Sequence, residues 1–289
     1  MKPLADCALC TLEWIFGRTA SSLDEPGRLE LIQTLLGVFH QTFDARENLG
    51  FAARETLDAV TPQVVAAAGI YDKIKKESNE AVKALLPAAR RFIAEGMTPK
   101  ERFERACFLA ATGNVSPLAA PSGGLTFTET EALMAGQTES PVLMGDVYEA
   151  ARDRQRVLYL FDNAGEVGFD SLLIEQLEAM GAAVTLVLKE APFFEDATRA
   201  DAHFFGLENL SERMLSVKTL LVPGRSTPEL ERAITECDLI LAKGTFNIEA
   251  TYEEGMGKPV IYMLKIKCGP LSQKLGVPQG RFVVALSEP

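Results

Sequence analysis

Long apolar runs are missing from this sequence. No stretch approaches 18 apolar residues without a charge, so a membrane span is not expected. The opening MKPLADCALC has neither the long apolar core nor the small-residue cleavage site of a signal peptide. Basic clusters are missing as well. The formal net charge is −11 and the pI about 4.9, which argues against nucleic acid as a partner, because phosphate neutralisation needs grouped Lys and Arg. Histidine is scarce: His40, beside an apolar helix face, reads as structural and His203 as a surface residue. No G-x-x-x-x-G-K-[ST], G-x-G-x-x-G or G-x-S-x-G pattern occurs, which leaves a P-loop NTPase, a dinucleotide fold and a serine hydrolase unsupported. The five cysteines are an odd number for a disulfide framework and fit reduced thiols of a cytoplasmic protein. Cys7 and Cys10 have zinc-like spacing, but Cys107, Cys237 and Cys268 are scattered and supply no second close pair.

What is present is ordinary globular material: 289 residues, 47% hydrophobic and 24% charged. It divides into two patterns. Up to about residue 155 the spacing is helical. Leu29, Ile32, Leu36, Phe39 and Phe43 predict one apolar helix face, and 46–60, 72–94 and 98–111 read similarly. The run KIKKESNE, 73–80, reads as a solvated helix face, and 113–127 as a loop that is either linker or part of a site. Beyond 155, RVLYLFDN, AVTLVLKE, SVKTLLVP, CDLILAKG, PVIYMLKI and RFVVAL are short and rich in Val, Ile and Leu, as strands buried on both faces are. Helical stretches over 169–180, 197–214, 228–235 and 248–254 separate most of them. Strand–helix alternation implies a mostly parallel sheet. The expectation is a helical domain, 1–155, followed by a Rossmann-like α/β/α sandwich, 156–289.

Ligands of open parallel sheets bind beyond the carboxyl ends of the strands, so the strand endings carry the functional signal. The first ends in Asp162-Asn163. The second runs through Lys189-Glu190 to Glu195-Asp196, the fourth ends in Lys243-Gly244-Thr245-Phe246-Asn247, and the fifth in Lys265-Ile266-Lys267-Cys268. Asp162, Asn163 and Asp196 are oxygen donors suited to a hard divalent cation. The bland alternative is that Asp162 or Asn163 caps the next helix. KGTFNIEA has the shape of a phosphate loop. Gly244 permits close approach, a helix start attracts anions, Lys243 adds charge and Asn247 a hydrogen bond. An ordinary strand-to-helix connection is the alternative there.

DNAGEVGFD, EDAT, KGTFN and LKIKC, in that order at successive strand ends, resemble the damage-control phosphatases, a metal-dependent family first catalogued as a domain of unknown function. The early Cys-x-x-Cys, Tyr71, Lys75 and Asn79 at four-residue spacing, and Gly113-Asn114 are similar too. The resemblance implies a helical region joined to a Rossmann-like domain. It also implies hydrolysis of sugar phosphates, nucleotides or damaged phosphometabolites with Mn²⁺, Co²⁺, Ni²⁺ or Mg²⁺. By motif, Asp162, Asn163 and Asp196 match the metal ligands. Lys243, Gly244 and Asn247 match the phosphate-side loop, Lys265 and Lys267 the fifth-strand lysines, and Asn114 a residue of the helical region that faces the site. The sequence departs from the family pattern at Glu195 for Asn, Thr245-Phe246 for Gln-Gly, Val115-Ser116-Pro117 after Gly-Asn, and Gly69-Ile70 before Tyr71. The metal triad is intact.

The expected chemistry is metal-assisted hydrolysis of a small phosphomonoester, with Lys243, Asn247 and Lys265 stabilising phosphoryl charge. Glu166, Asp170 or Glu195 would orient water, and the sequence does not choose among them. Three rivals are a covalent Asp162 nucleophile, a non-catalytic binder of phosphorylated metabolites, and a carboxyl methyltransferase. The first lacks a second Asp two positions on, where Ala164 stands, and the last lacks a glycine-rich cofactor loop.

Overall fold

The computed structural model describes residues 1–44, 46–66, 68–115, 127–211 and 213–288. Seven helices come first: α1 (Ala5–Thr19), α2 (Glu25–Thr42), α3 (Leu49–Ala59), α4 (Thr61–Ala66), α5 (Ala68–Ala94), α6 (Pro99–Thr112) and α7 (Thr128–Met134). Local chemistry explains their starts. Thr98 accepts from the Glu101 N–H at 3.1 Å, the Glu101 carboxylate accepts from the Thr98 N–H at 3.3 Å, and Pro99 sits where no N–H is needed. Helix α2 is apolar on more than one side, and the stripe that turns inward is Leu31, Leu35 and Phe39. Leu29 and Leu36, expected on the buried face, are exposed. The packing that decides this is the cluster that Leu31 and Leu35 form with Ile15 of α1 and Ala53 and Leu57 of α3.

The remaining elements alternate: β1 (Val142–Met144), α8 (Val147–Ala151), β2 (Arg156–Leu160), α9 (Val167–Ala179), β3 (Ala183–Lys189), α10 (Arg199–Phe204), β4 (Arg213–Val217), α11 (Pro228–Glu236), β5 (Leu239–Lys243), α12 (Gly244–Thr251), β6 (Val260–Lys265), α13 (Gly269–Leu275) and β7 (Phe282–Ser287). One sheet has the order β1-β7-β6-β5-β2-β3-β4. Every pairing is parallel except β6 with β7. Alternate residues of β2 face opposite layers. Val157 and Tyr159 join Leu172 of α9 and Cys107 of α6, whereas Leu158 and Leu160 join Leu230 of α11 and Ile248 of α12. That two-sided burial is why the strands read as unbroken apolar runs. Residues 1–155, expected as the helical domain, contribute β1 to the sheet and, through α5 and α6, part of the layer on one of its faces.

Three expected elements shift. The strand placed at 216–223 is Arg213–Val217, and Leu220, Leu221 and Val222 bury as irregular chain instead. The helix placed at 197–214 is the short α10 and a 3₁₀ turn at Leu207–Asn209, separated at Gly206, whose φ is +75°. The helix after β5 begins at Gly244 rather than at 248.

The order places the site. From β2 the chain winds outward to β3 and β4, then returns to lay β5 on the other side of β2. A crevice therefore opens above the carboxyl ends of β2 and β5, which carry Asp162-Asn163 and Lys243-Gly244.

Candidate active site

Asp162 follows β2 and lies four residues before Glu166, the N-cap of α9. Neither Asp162 nor Asn163 caps that helix, so the bland alternative fails. Asn163 pairs in an isolated antiparallel bridge with Asp196, and the Ala197 N–H donates to the Asp162 carbonyl at 2.8 Å. Backbone pairing thus brings together two loops 34 residues apart. Asp162 Oδ2 accepts from Asn114 Nδ2 at 2.8 Å and from Asn163 Nδ2 at 3.1 Å. Asp196 Oδ2 lies 3.2 Å from the Lys189 ammonium. Burial and the Glu166 charge push the Asp162 carboxyl up to about 6, against Lys267, Asn114 and Lys243. Burial pushes Asp196 up to about 7, with Lys189 opposing and Asp162 and Glu195 adding to the rise. Two acids that resist ionising together are a place where a cation is favoured.

No three His, Cys, Asp or Glu side chains among the described residues form a metal cage. The donor set here is two carboxylates and an amide, all oxygen, and it fits a hard cation that keeps water in part of its shell. The second carboxylate oxygens of Asp162 and Asp196 and the Asn163 Oδ1 take no hydrogen bond from the described residues.

Gly244 reaches over the same carboxylate. Its φ is +77°, and a Cβ there would sit 1.9 Å from Asp162 Oδ2. No side chain caps the start of α12, which follows. Asn247 Nδ2 donates to the carbonyls of Lys243 at 2.8 Å and Phe161 at 3.2 Å, tying the turn to the end of β2. Lys243 lies below. It is fully buried, bonded to Glu166 and 2.9 Å from Asp170 Oδ1, which also accepts from the Tyr159 hydroxyl at 2.7 Å. Burial opposes its charge, yet Asp170 and Glu166 hold the ammonium above its usual range.

A cleft of about 150 Å³ opens over these groups. Asp162, Asn163, Asp196, Thr245, Lys267, Trp14, Arg18 and Phe246 are among the residues that line it. Trp14 meets Phe246 edge-on at 4.7 Å and Phe194 at 5.2 Å. Arg18 lies over the Trp14 ring and binds Glu195 at 2.8 Å.

The structure therefore gathers Asp162, Asn163, Asp196 and Lys267 at the cleft, with Asn114 and Gly244 packed against Asp162. It leaves three expected groups outside. Lys243 and Asn247 point into protein, and the Lys265 ammonium pairs with Glu129 at 2.7 Å while its N–H donates to Asn114 Oδ1. Of the acids considered for water, Glu166 and Asp170 are sealed beneath and Glu195 is bound to Arg18. Ser116 and Pro117, one of the departures, lie outside the described residues.

Comparison with known proteins supplies the identity. Residues 6–283 match the damage-control phosphatase ARMT1-like domain. The chain belongs to the damage-control phosphatase family. It is 26% identical over 222 residues to a damage-control phosphatase of Archaeoglobus fulgidus, covering 75% of this chain and 76% of that one. It is 32% identical over 191 residues to a damage-control phosphatase of Pyrococcus horikoshii, covering 63% and 64%. The crystal structure of a DUF89 family protein from P. horikoshii superposes with a TM-score of 0.78 over 99% of both chains at 24% identity, which shows the shared fold.

Within this damage-control phosphatase fold, the motif residues Tyr71, Lys75 and Asn79 do not line the cleft. The Tyr71 hydroxyl donates to the Arg18 carbonyl, and Lys75 and Asn79 each reach Asp201 of α10 at 2.8 Å. The run 73–80 is thus partly an inward face, because Lys75, Ser78 and Asn79 are buried. Trp14 and Arg18 were not anticipated from sequence. Their four-residue spacing on α1 was the available signal.

Proposed function

We propose that this chain is a metal-dependent phosphatase acting on phosphomonoesters of small metabolites, such as sugar phosphates, nucleotides or damaged phosphometabolites. The observation that carries the reading is the convergence of Asp162, Asn163 and Asp196 at the switch-point crevice, opposite the uncapped start of α12. Asp162, Asn163 and Asp196 would hold Mn²⁺, Co²⁺, Ni²⁺ or Mg²⁺, and the ion would supply Lewis acidity toward a phosphoryl oxygen and a water.

The chain's own groups do the rest. Lys267, exposed at the cleft, offers an ammonium to the phosphoryl group. The first N–H groups of α12 offer donors to the same anion. Asn247 fixes the turn that presents them. Trp14, Phe246 and Arg18 would wall the space left for the leaving group. Nucleic acid is not proposed as a partner at a net charge of −11. Among the described residues no helix is long and apolar enough to cross a membrane, and a cytoplasmic location accords with the free cysteines.

The test is phosphate release from a panel of sugar phosphates, nucleotides and an aryl phosphate, each with Mn²⁺, Co²⁺, Ni²⁺, Mg²⁺ or EDTA. Metal-dependent release that disappears in Asp162→Ala supports the proposal. A folded protein that binds these metals and releases nothing from any ester contradicts it.

A further inference from the structure

Beneath the three proposed metal ligands lies a fully enclosed acid. Glu166 is 1% exposed, yet it accepts four interactions. They come from the Asn163 N–H at 3.0 Å, Asn163 Nδ2 at 2.7 Å, Asn114 Nδ2 at 3.1 Å and the Lys243 ammonium. An amide nitrogen has two hydrogens to give. Those of Asn163 go to Glu166 and to Asp162 Oδ2. Turning the Asn163 amide over would set its oxygen against two carboxylate oxygens. The same holds for Asn114, whose Nδ2 serves Glu166 and Asp162 while its Oδ1 accepts the Lys265 N–H at 3.3 Å. Glu166 therefore selects one orientation for each amide. That orientation leaves Asn163 Oδ1 uncommitted and holds Asp162 by a single oxygen.

Lys243 fits this role better than a role at substrate. It has no exposure, its ammonium lies between Glu166 and Asp170, and it is absent from the cleft lining. Its position explains why. It shares strand parity with Leu239 and Leu241, which face the α6 and α9 layer. Asp170 of α9 waits on that side.

We infer that Glu166 is the positioning residue that presets Asn163 and Asp162 for a divalent cation, and that Lys243 acts by holding Glu166 rather than by touching phosphate. The inference rests on the proposed metal site. Outer groups that orient metal ligands are typically worth about 10- to 100-fold in affinity or activity.

The experiment is Mn²⁺ binding, by calorimetry on the metal-free protein, for wild type, Asp162→Ala, Glu166→Gln, Lys243→Met and the double variant Glu166→Gln/Lys243→Met. Circular dichroism checks each fold, and phosphate release gives kcat and KM alongside. Each single variant should weaken Mn²⁺ by about 10-fold or more. The double variant should lose less than the two single losses combined, because Lys243 acts through Glu166 and has little left to hold once the Glu166 carboxylate is gone. If a single variant does not fold, the double variant still decides, since its Mn²⁺ affinity must fall about 10-fold. Lys243→Met with unchanged Mn²⁺ affinity and a raised KM would place Lys243 on substrate and overturn the inference. Unchanged Mn²⁺ affinity in the double variant would overturn it as well. Wild type that binds no Mn²⁺ fails the metal site itself, a result separate from either of these.

Discussion

Replacing Gly244 by Ala is the sharpest perturbation of the site. Two effects add. The residue sits at φ +77°, and an L-residue there costs about 1–2 kcal/mol. The new Cβ also meets Asp162 Oδ2 at 1.9 Å and Cγ at 2.3 Å, far inside contact, so the carboxylate must move. Moving it breaks the 2.8 Å bond from Asn114, a hydrogen bond to a charged group worth about 1.5–3 kcal/mol. Together Gly244→Ala should destabilise by about 3–5 kcal/mol, read as a lower urea midpoint at unchanged slope. If Asp162 holds the metal as proposed, displacing it by about 1 Å should also lower phosphate release by about 100-fold. A variant within about 1 kcal/mol of wild type and with normal release would refute the reasoning, because Gly244 would then not be pressed against Asp162.

Three further outcomes follow from the same geometry. The Asp162 and Asp196 carboxyls are raised to about 6 and 7 from an ordinary 3.8. The metal-free fold therefore holds more protons than the unfolded chain between about pH 4 and 7, and the stability these groups contribute falls as pH rises through that window. Asp196→Asn should accordingly stabilise the metal-free protein at pH 8 and lose that advantage near pH 4, measured by denaturation in EDTA. Protons compete with metal for the same oxygens, so calorimetry should show Mn²⁺ affinity rising with pH to about 7 and levelling above it. Asp201→Asn breaks the buried pair with Lys75 and should cost about 3–5 kcal/mol of stability, read as a lower urea midpoint.

The strands that build the crevice were legible because β2 and β5 are buried on both faces and so read as continuous apolar runs. Asp162 and Asn163 stood out because together they close an apolar run at the carboxyl end of a strand, where ligands bind, and Asp196 because it lies in the loop after the neighbouring strand. Side-chain direction was harder to read. KGTFN looks like a phosphate loop, and only strand parity, applied to Leu239, Leu241 and Lys243, turns that lysine downward to Asp170. The run 73–80 misled for a related reason. Lys75 and Asn79 are polar by type, but Asp201 of α10 draws them inward, and a partner over 120 residues away leaves no local trace. Trp14 and Arg18 reach the cleft by the docking of α1 against Phe194 and against Phe246 of α12. The antiparallel β7 is another tertiary outcome, since a buried strand carries the same apolar pattern in either direction.

The most direct test of the account is a crystal structure of the protein with Mn²⁺ and inorganic phosphate, with the metal located by its anomalous scattering. One ion should be bound by oxygens of Asp162, Asn163 and Asp196, with phosphate between it and the start of α12. An ion held elsewhere, or none at a concentration that supports phosphate release, would contradict it.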